Sequence, residues 1–217
     1  MTRQLGLCGA LLLALLSCTA QANEVAMVTA LSGTVEWQAP GAAPAMPLKA
    51  FSKLRAGDRL KLAAAARVQL VFFQSGREEV WQGAGDLLLG SEASAVTTGT
   101  PQQQSRLLPR LLVKQLARTP APEGQIRAGM VRLRSMPSGG TLESVENNYA
   151  ELRSKAAATD RNPELYLLAG YFELREFAKL QQLLARLDEQ SPGSNELAVL
   201  RSLYVRAMNN AKMAEEQ

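Results

Sequence analysis

Between Val25 and Ala95 apolar and polar positions alternate in short runs broken by turn residues. VAMVTALSG and TVEWQ are separated by Ser32-Gly33, RVQLVFF runs to Ser75-Gly76, EEVWQ follows, and DLLLG closes before Gly90. A two-residue period with glycine punctuation predicts short antiparallel strands forming a small sandwich or roll. After Pro137-Ser138-Gly139-Gly140 the period changes. Leu142 to Ala157, Pro163 to Arg175, Phe177 to Glu189 and Asn195 to Ala211 carry apolar residues three and four apart. Four helices in antiparallel hairpins are expected, with Asn162 capping the second, Pro163 in its first turn and Pro192-Gly193 stopping the third.

The predicted class is therefore α+β in two domains. Residues 1–22 form a leader, 23–100 the β domain, 101–140 a basic linker with a short amphipathic helix and room for a strand, and 141–217 the helical domain.

Charge sharpens that division. The whole chain carries a net +4, but residues 101–140 hold seven basic side chains against Glu123 alone. In SRLLPRLLVKQLART, Arg106, Arg110, Lys114 and Arg118 recur every four positions, with Leu108, Leu111, Leu112 and Leu116 between them. The spacing suggests a cationic stripe facing an acidic partner or anionic lipid, or a solvated face whose leucines pack on a sheet. Nucleic acid is disfavoured, because this segment has no aromatic residue on which bases would stack.

The first 22 residues match a secretory signal peptide: Arg3, an apolar run from Leu5 to Leu16, and Ala20-Gln21-Ala22 ahead of Asn23. The run is shorter than the roughly 20 residues of a spanning helix. Leu15-Leu16-Ser17-Cys18 offers a second processing site, which would leave a lipidated Cys18. The expected location is the periplasm, with a lipoprotein anchored through Cys18 in the outer membrane as the alternative. Membrane contact is expected only in that lipidated form.

Candidate chemistry is sparse. Both cysteines, Cys8 and Cys18, lie in the leader and the chain has no histidine, so the usual general base, thiol nucleophile and zinc ligands are missing. No cofactor or metal is expected. Asp58, in LRAGDRL, stands between Arg55 and Arg59, but Gly57-Asp58 before a strand has the chemistry of a tight turn. Trp37 and Trp81 fall on predicted strands, where an aromatic face either binds a ligand or fills the core.

The succession V-x-x-L-S-G-T-V-x-W, L-x-A-G-D-x-L, V-Q-L-V-F-F-Q-S-G-R and G-x-L-L-L-G resembles the FecR-like domain of bacterial envelope proteins, over roughly residues 25–95. It departs from that pattern at Lys61-Leu62-Ala63, where threonine or serine is usual shortly after Gly-Asp, and at Ser75-Gly76-Arg77, where Asp-Gly-Ser is usual. The leader directly precedes the domain, so the resemblance does not imply sigma-factor regulation. Residues 163–194 in turn resemble a tetratricopeptide repeat (TPR) through Tyr166, Gly170, Phe177 and Pro192, with Leu180 where a small residue is usual.

These readings lead to a non-catalytic exported adaptor that binds an envelope protein or a cell-wall polymer through Arg106, Arg110, Lys114, Arg118, Trp37 and Trp81. The alternative is a carboxylate-dependent periplasmic hydrolase such as a glycosidase, which needs two carboxylates across a cleft.

Overall fold

The computed structural model describes residues 23–41, 44–122 and 140–214. The leader with both cysteines, and the part of the basic linker from 123 to 139, lie outside the described residues.

Among the described residues, ten strands form two antiparallel sheets, and five helices complete an α+β architecture. The strands are β1 (Glu24–Ser32), β2 (Val35–Gln38), β3 (Met46–Pro47), β4 (Lys53–Arg55), β5 (Arg59–Leu62), β6 (Arg67–Phe72), β7 (Arg77–Gln82), β8 (Gly85–Leu89), β9 (Ser94–Gly99) and β10 (Gln102–Leu107). The helices are α1 (Arg110–Leu116), α2 (Leu142–Lys155), α3 (Asn162–Glu173), α4 (Phe177–Gln190) and α5 (Asn195–Met213). One sheet runs β10-β7-β6-β1-β4 and the other β3-β2-β5-β8-β9.

The β10-to-β4 sheet is the middle layer. Ala26, Val28, Val68, Leu70 and Phe72 meet Val35, Leu60, Leu62, Leu87 and Leu89 of the other sheet in one core. On the opposite face Met27, Phe51 and Val71 share a second core with Leu112 and Leu116 of α1 and with Leu165, Leu168 and Leu200 of the helical layer. A strand buried on both sides needs a continuous apolar run rather than an alternating one, and Ala26-Met27-Val28 supplies it. The second core is thus built jointly by sheet and helices.

Opposite β6 the strand β1 bulges, with Val28 facing Leu70 and Ala30 facing Gln69, which leaves Thr29 as the extra residue. Such an insertion breaks the ladder locally and re-aims a side chain. Phe51, just before β4, is equally unusual, with φ at 64°. That is a conformation a bulky residue rarely adopts.

LRAGDRL is a turn. Asp58 donates its backbone N–H to the Arg55 carbonyl (3.1 Å), its Oδ2 accepts the Arg55 N–H (2.8 Å), and Gly57 takes φ of 87°. A positive φ at the third position of a four-residue turn is the reason for glycine there.

The helix termini follow ordinary capping chemistry. Thr141 Oγ1 accepts the Ser144 N–H (3.2 Å) and Ser194 Oγ accepts the Leu197 N–H (3.3 Å). Asn162 differs from the expected cap: Arg161 occupies that position, and Asp160 Oδ1 accepts the Asn162 N–H (2.9 Å). The Asn162 side chain is thereby freed to reach the middle sheet.

The basic stripe does not lie on one helix. Pro109 has extended geometry (φ −56°, ψ 136°) at the N-cap of α1, a helix of only seven residues. A proline also pushes the residue before it out of the helical region. Arg106 therefore falls on β10, paired with Glu78, and Arg118 follows the end of α1.

Candidate functional site

The expected binding residues separate into three groups. Trp81 is core, 4% exposed, and its indole N–H donates to Glu79 Oε2 (3.0 Å) and Ser94 Oγ (2.9 Å). Glu79 is fully buried and is also bonded by Arg77 Nε at 2.8 Å, so Trp81 belongs to a structural network between the sheets. Trp37 is partly buried against the same core. Its N–H lacks a well-formed hydrogen bond but lies close enough to the Asp58 carboxyl to lower that group's pKa. Burial of Asp58 outweighs this and raises its pKa overall.

Arg106 and Arg118 are committed inside the protein. Arg106 bonds Glu78 through Nε and Asp160 Oδ2 through Nη2 (2.6 Å), joining β10, β7 and the approach to α3. These carboxylates, Glu78 first, hold its pKa above the ordinary guanidinium value. Glu78 is 3% exposed and also accepts from Gln69 Nε2 (2.6 Å) and Asn162 Nδ2 (2.5 Å). Arg118 Nη1 pairs with Glu173 of α3 at 2.6 Å. Arg106 thus ties the sheet to the approach to α3, and Arg118 ties the end of α1 to α3.

Arg110 and Lys114 form the third group. Both are exposed on α1, one turn apart, while Leu112, Val113 and Leu116 on the same helix are buried. Among the described residues neither makes an ion pair.

A site that sequence reasoning missed lies between the middle sheet and the helical layer. It is a partly open recess of about 220 Å³. Phe51, Leu165, Leu187, Leu197 and Leu200 supply its apolar wall, while Thr29, Arg161, Glu164, Ser191, Ser194 and Glu196 supply polar groups. Thr29, on the β1 bulge, is 5% exposed and its Oγ1 has no hydrogen-bond partner. A buried hydroxyl left unpaired costs about 1–3 kcal/mol.

The charged groups in this cavity are not equivalent. Glu164 is held by Arg153 Nη1 at 3.1 Å and receives the Tyr149 hydroxyl at 3.3 Å. Arg161 donates through Nη2 to the Ser191 hydroxyl, and Glu196 Oε1 accepts the Leu31 backbone N–H at 2.6 Å. Among the described residues, neither Arg161 nor Glu196 has an oppositely charged side chain within ion-pair distance. Arg161 also lines a more open cleft of about 330 Å³ bordered by Tyr149, Arg153 and Arg186.

One signal for the buried carboxylates was present in REEVWQ. Adjacent charges on an alternating strand face opposite ways, so in a layered fold one of Glu78 and Glu79 must point inward. Arg161 had no such signal, since Asp160-Arg161-Asn162 reads as an ordinary interhelical break.

Among the described residues no group of three or more Asp, Glu, His or Cys side chains stands close enough to hold a metal ion, and no helix is long and apolar enough to cross a membrane. Compared with protein-family models, curated proteins and solved structures, the chain has no match.

Proposed function

We propose that the protein is a non-catalytic binding module of the bacterial envelope, a FecR-like β domain carrying a TPR-like helical layer, exported to the periplasm and engaging a cell-wall polymer or another envelope protein. The observation that carries this reading is the exposed pair Arg110 and Lys114 on α1. The buried side of that helix is fixed in the second core, so the two cations are presented rigidly, and preorganisation lowers the entropic cost of binding. The pair fits an anionic surface such as the carboxylate-bearing wall polymer.

Co-sedimentation with isolated cell-wall sacculi tests this. The unaltered chain should pellet with sacculi at low salt and be released as salt rises, because exposed charges are screened over about 8 Å at physiological ionic strength. Arg110→Glu with Lys114→Glu should abolish pelleting without changing the melting temperature. Equal retention of the charge-reversed chain would refute the reading.

One observation favours a second reading as a carboxylate-dependent hydrolase: Glu164 and Glu196 line the same recess. Against it, Glu164 is already tied to Arg153. Release of reducing ends from wall glycan, lost in both Glu164→Gln and Glu196→Gln, would establish the hydrolase.

A further inference from the structure

We infer that the recess between the middle sheet and the helices is a binding site for a free α-amino acid with an apolar side chain. It is separate from the α1 surface, so the two readings stand or fall independently.

Three features converge on this ligand. Among the described residues, Arg161 and Glu196 line it as a cation and an anion without charged partners, beside a Glu164 already neutralised by Arg153. A carboxylate placed on the Arg161 guanidinium gains the planar two-point geometry that arginine offers such groups. An ammonium placed on Glu196 meets the opposite charge there. A monocarboxylate satisfies only the first group and an amine only the second, whereas a zwitterion satisfies both. The leucine wall then takes an aliphatic side chain. At about 220 Å³ the cavity has the room of roughly seven waters at ~30 Å³ each, the scale of valine or leucine.

The backbone around the cavity supports a built site. Thr29 is placed there by a β-bulge and keeps a buried hydroxyl without a partner. Phe51 holds a positive φ at the same wall. Two local departures from regular geometry, in segments more than twenty residues apart in the chain, meet at one small volume. Strain and unpaired buried groups concentrate where a ligand completes them. The Thr29 hydroxyl can donate to the ligand carboxylate or accept from its ammonium.

Isothermal titration of the purified full chain with leucine, in each enantiomer, tests the assignment. Saturable binding of one leucine per chain is expected. Isocaproate lacks the ammonium, leucinamide lacks the carboxylate, glycine lacks the side chain, and glycyl-leucine separates the two charges. Each should bind at least about tenfold more weakly, because each loses a charge-assisted contact or the apolar one. Arg161→Gln and Glu196→Gln should each weaken leucine at least about tenfold, and in Glu196→Gln isocaproate should lose nothing further. No binding at millimolar leucine overturns the proposal. So does isocaproate binding as tightly as leucine, which would make the site one for simple carboxylates, or glycyl-leucine binding equally well, which would make it one for peptide ends. If Arg161→Gln is poorly folded, the analogue series on the unaltered protein decides alone.

Discussion

Replacing Arg106 with methionine keeps its apolar stem and removes only the charged fork. Glu78, with its side chain 4% exposed, then loses the cation paired with it but keeps Gln69 Nε2 and Asn162 Nδ2 as donors. Asp160, at 10% exposure, loses its Arg106 bond at 2.6 Å. Breaking a fully buried pair costs about 3–5 kcal/mol. The Arg106 side chain is 48% exposed, so water replaces part of what is lost. The estimate therefore falls to about 2 kcal/mol, within the range of ~1.5–3 for a hydrogen bond to a charged group. For a chain of this size that is a fall of about 4–8 °C in melting temperature. Arg110→Met is the control, with an expected change within about 0.5 kcal/mol because it breaks no ion pair. Urea denaturation of Arg106→Met, Asn162→Ala and the double variant, followed by circular dichroism, measures the coupling between β10 and α3. A loss for Arg106→Met no larger than for Arg110→Met, or strict additivity with Asn162→Ala, would show that the contact does not join sheet to helices.

Because sheet and helices share a core, helical circular dichroism and tryptophan fluorescence should report one coincident unfolding transition, and residues 23–122 expressed alone should expose Met27 and Val71 and aggregate. Two separated transitions would contradict the shared core. Gly170→Ala places a Cβ 2.6 Å from Val145 Cγ1. Overlap with that stiff side chain costs about 1–3 kcal/mol against a helix-propensity gain of ~1, so the variant should lose about 1 kcal/mol, and the sign should reverse in a Val145→Ala background. Asp58 has a pKa raised above 3.8 by burial, so the folded state holds its proton more tightly than the unfolded state. Its contribution is full below about 3.8 and is lost as pH rises through the raised value. The stability of the unaltered chain relative to Asp58→Asn should therefore increase as pH falls from 7 towards 4. A relative decrease would reverse the assigned sign.

The helices were legible because their apolar spacing is local. The expected Phe177 to Glu189 and the observed Phe177–Gln190 differ by one residue, and Ser191-Pro192-Gly193 was visible as a break. Several central strands were legible for the same reason. The cationic stripe misled because spacing in fours is also even spacing, which a strand places on one face. Only pairing with Glu78 reveals that Arg106 belongs to a sheet. The cavity was illegible for a different reason: Thr29, Phe51, Arg161 and Glu196 come from four distant segments, and no local pattern brings them together.

Strand β7 offers its neighbours a parity check. Glu78 has its donors on the helical side, from Gln69, Arg106 and Asn162, whereas Glu79 has Trp81 and Ser94 on the side of the second sheet. A slip by one residue exchanges the two faces. Because the two glutamates are neighbours, either slip carries one of them into the other's donor set and leaves the second buried away from any donor, at about 3–5 kcal/mol. That penalty approaches the lower end of the stability of a typical domain, about 5–15 kcal/mol. A misregistered β7 is therefore disfavoured against the native pairing. Aggregation-prone sheets of this topology usually fold slowly through long-range contacts. Here the neighbouring glutamates penalise a misregistered β7 whichever way it slips.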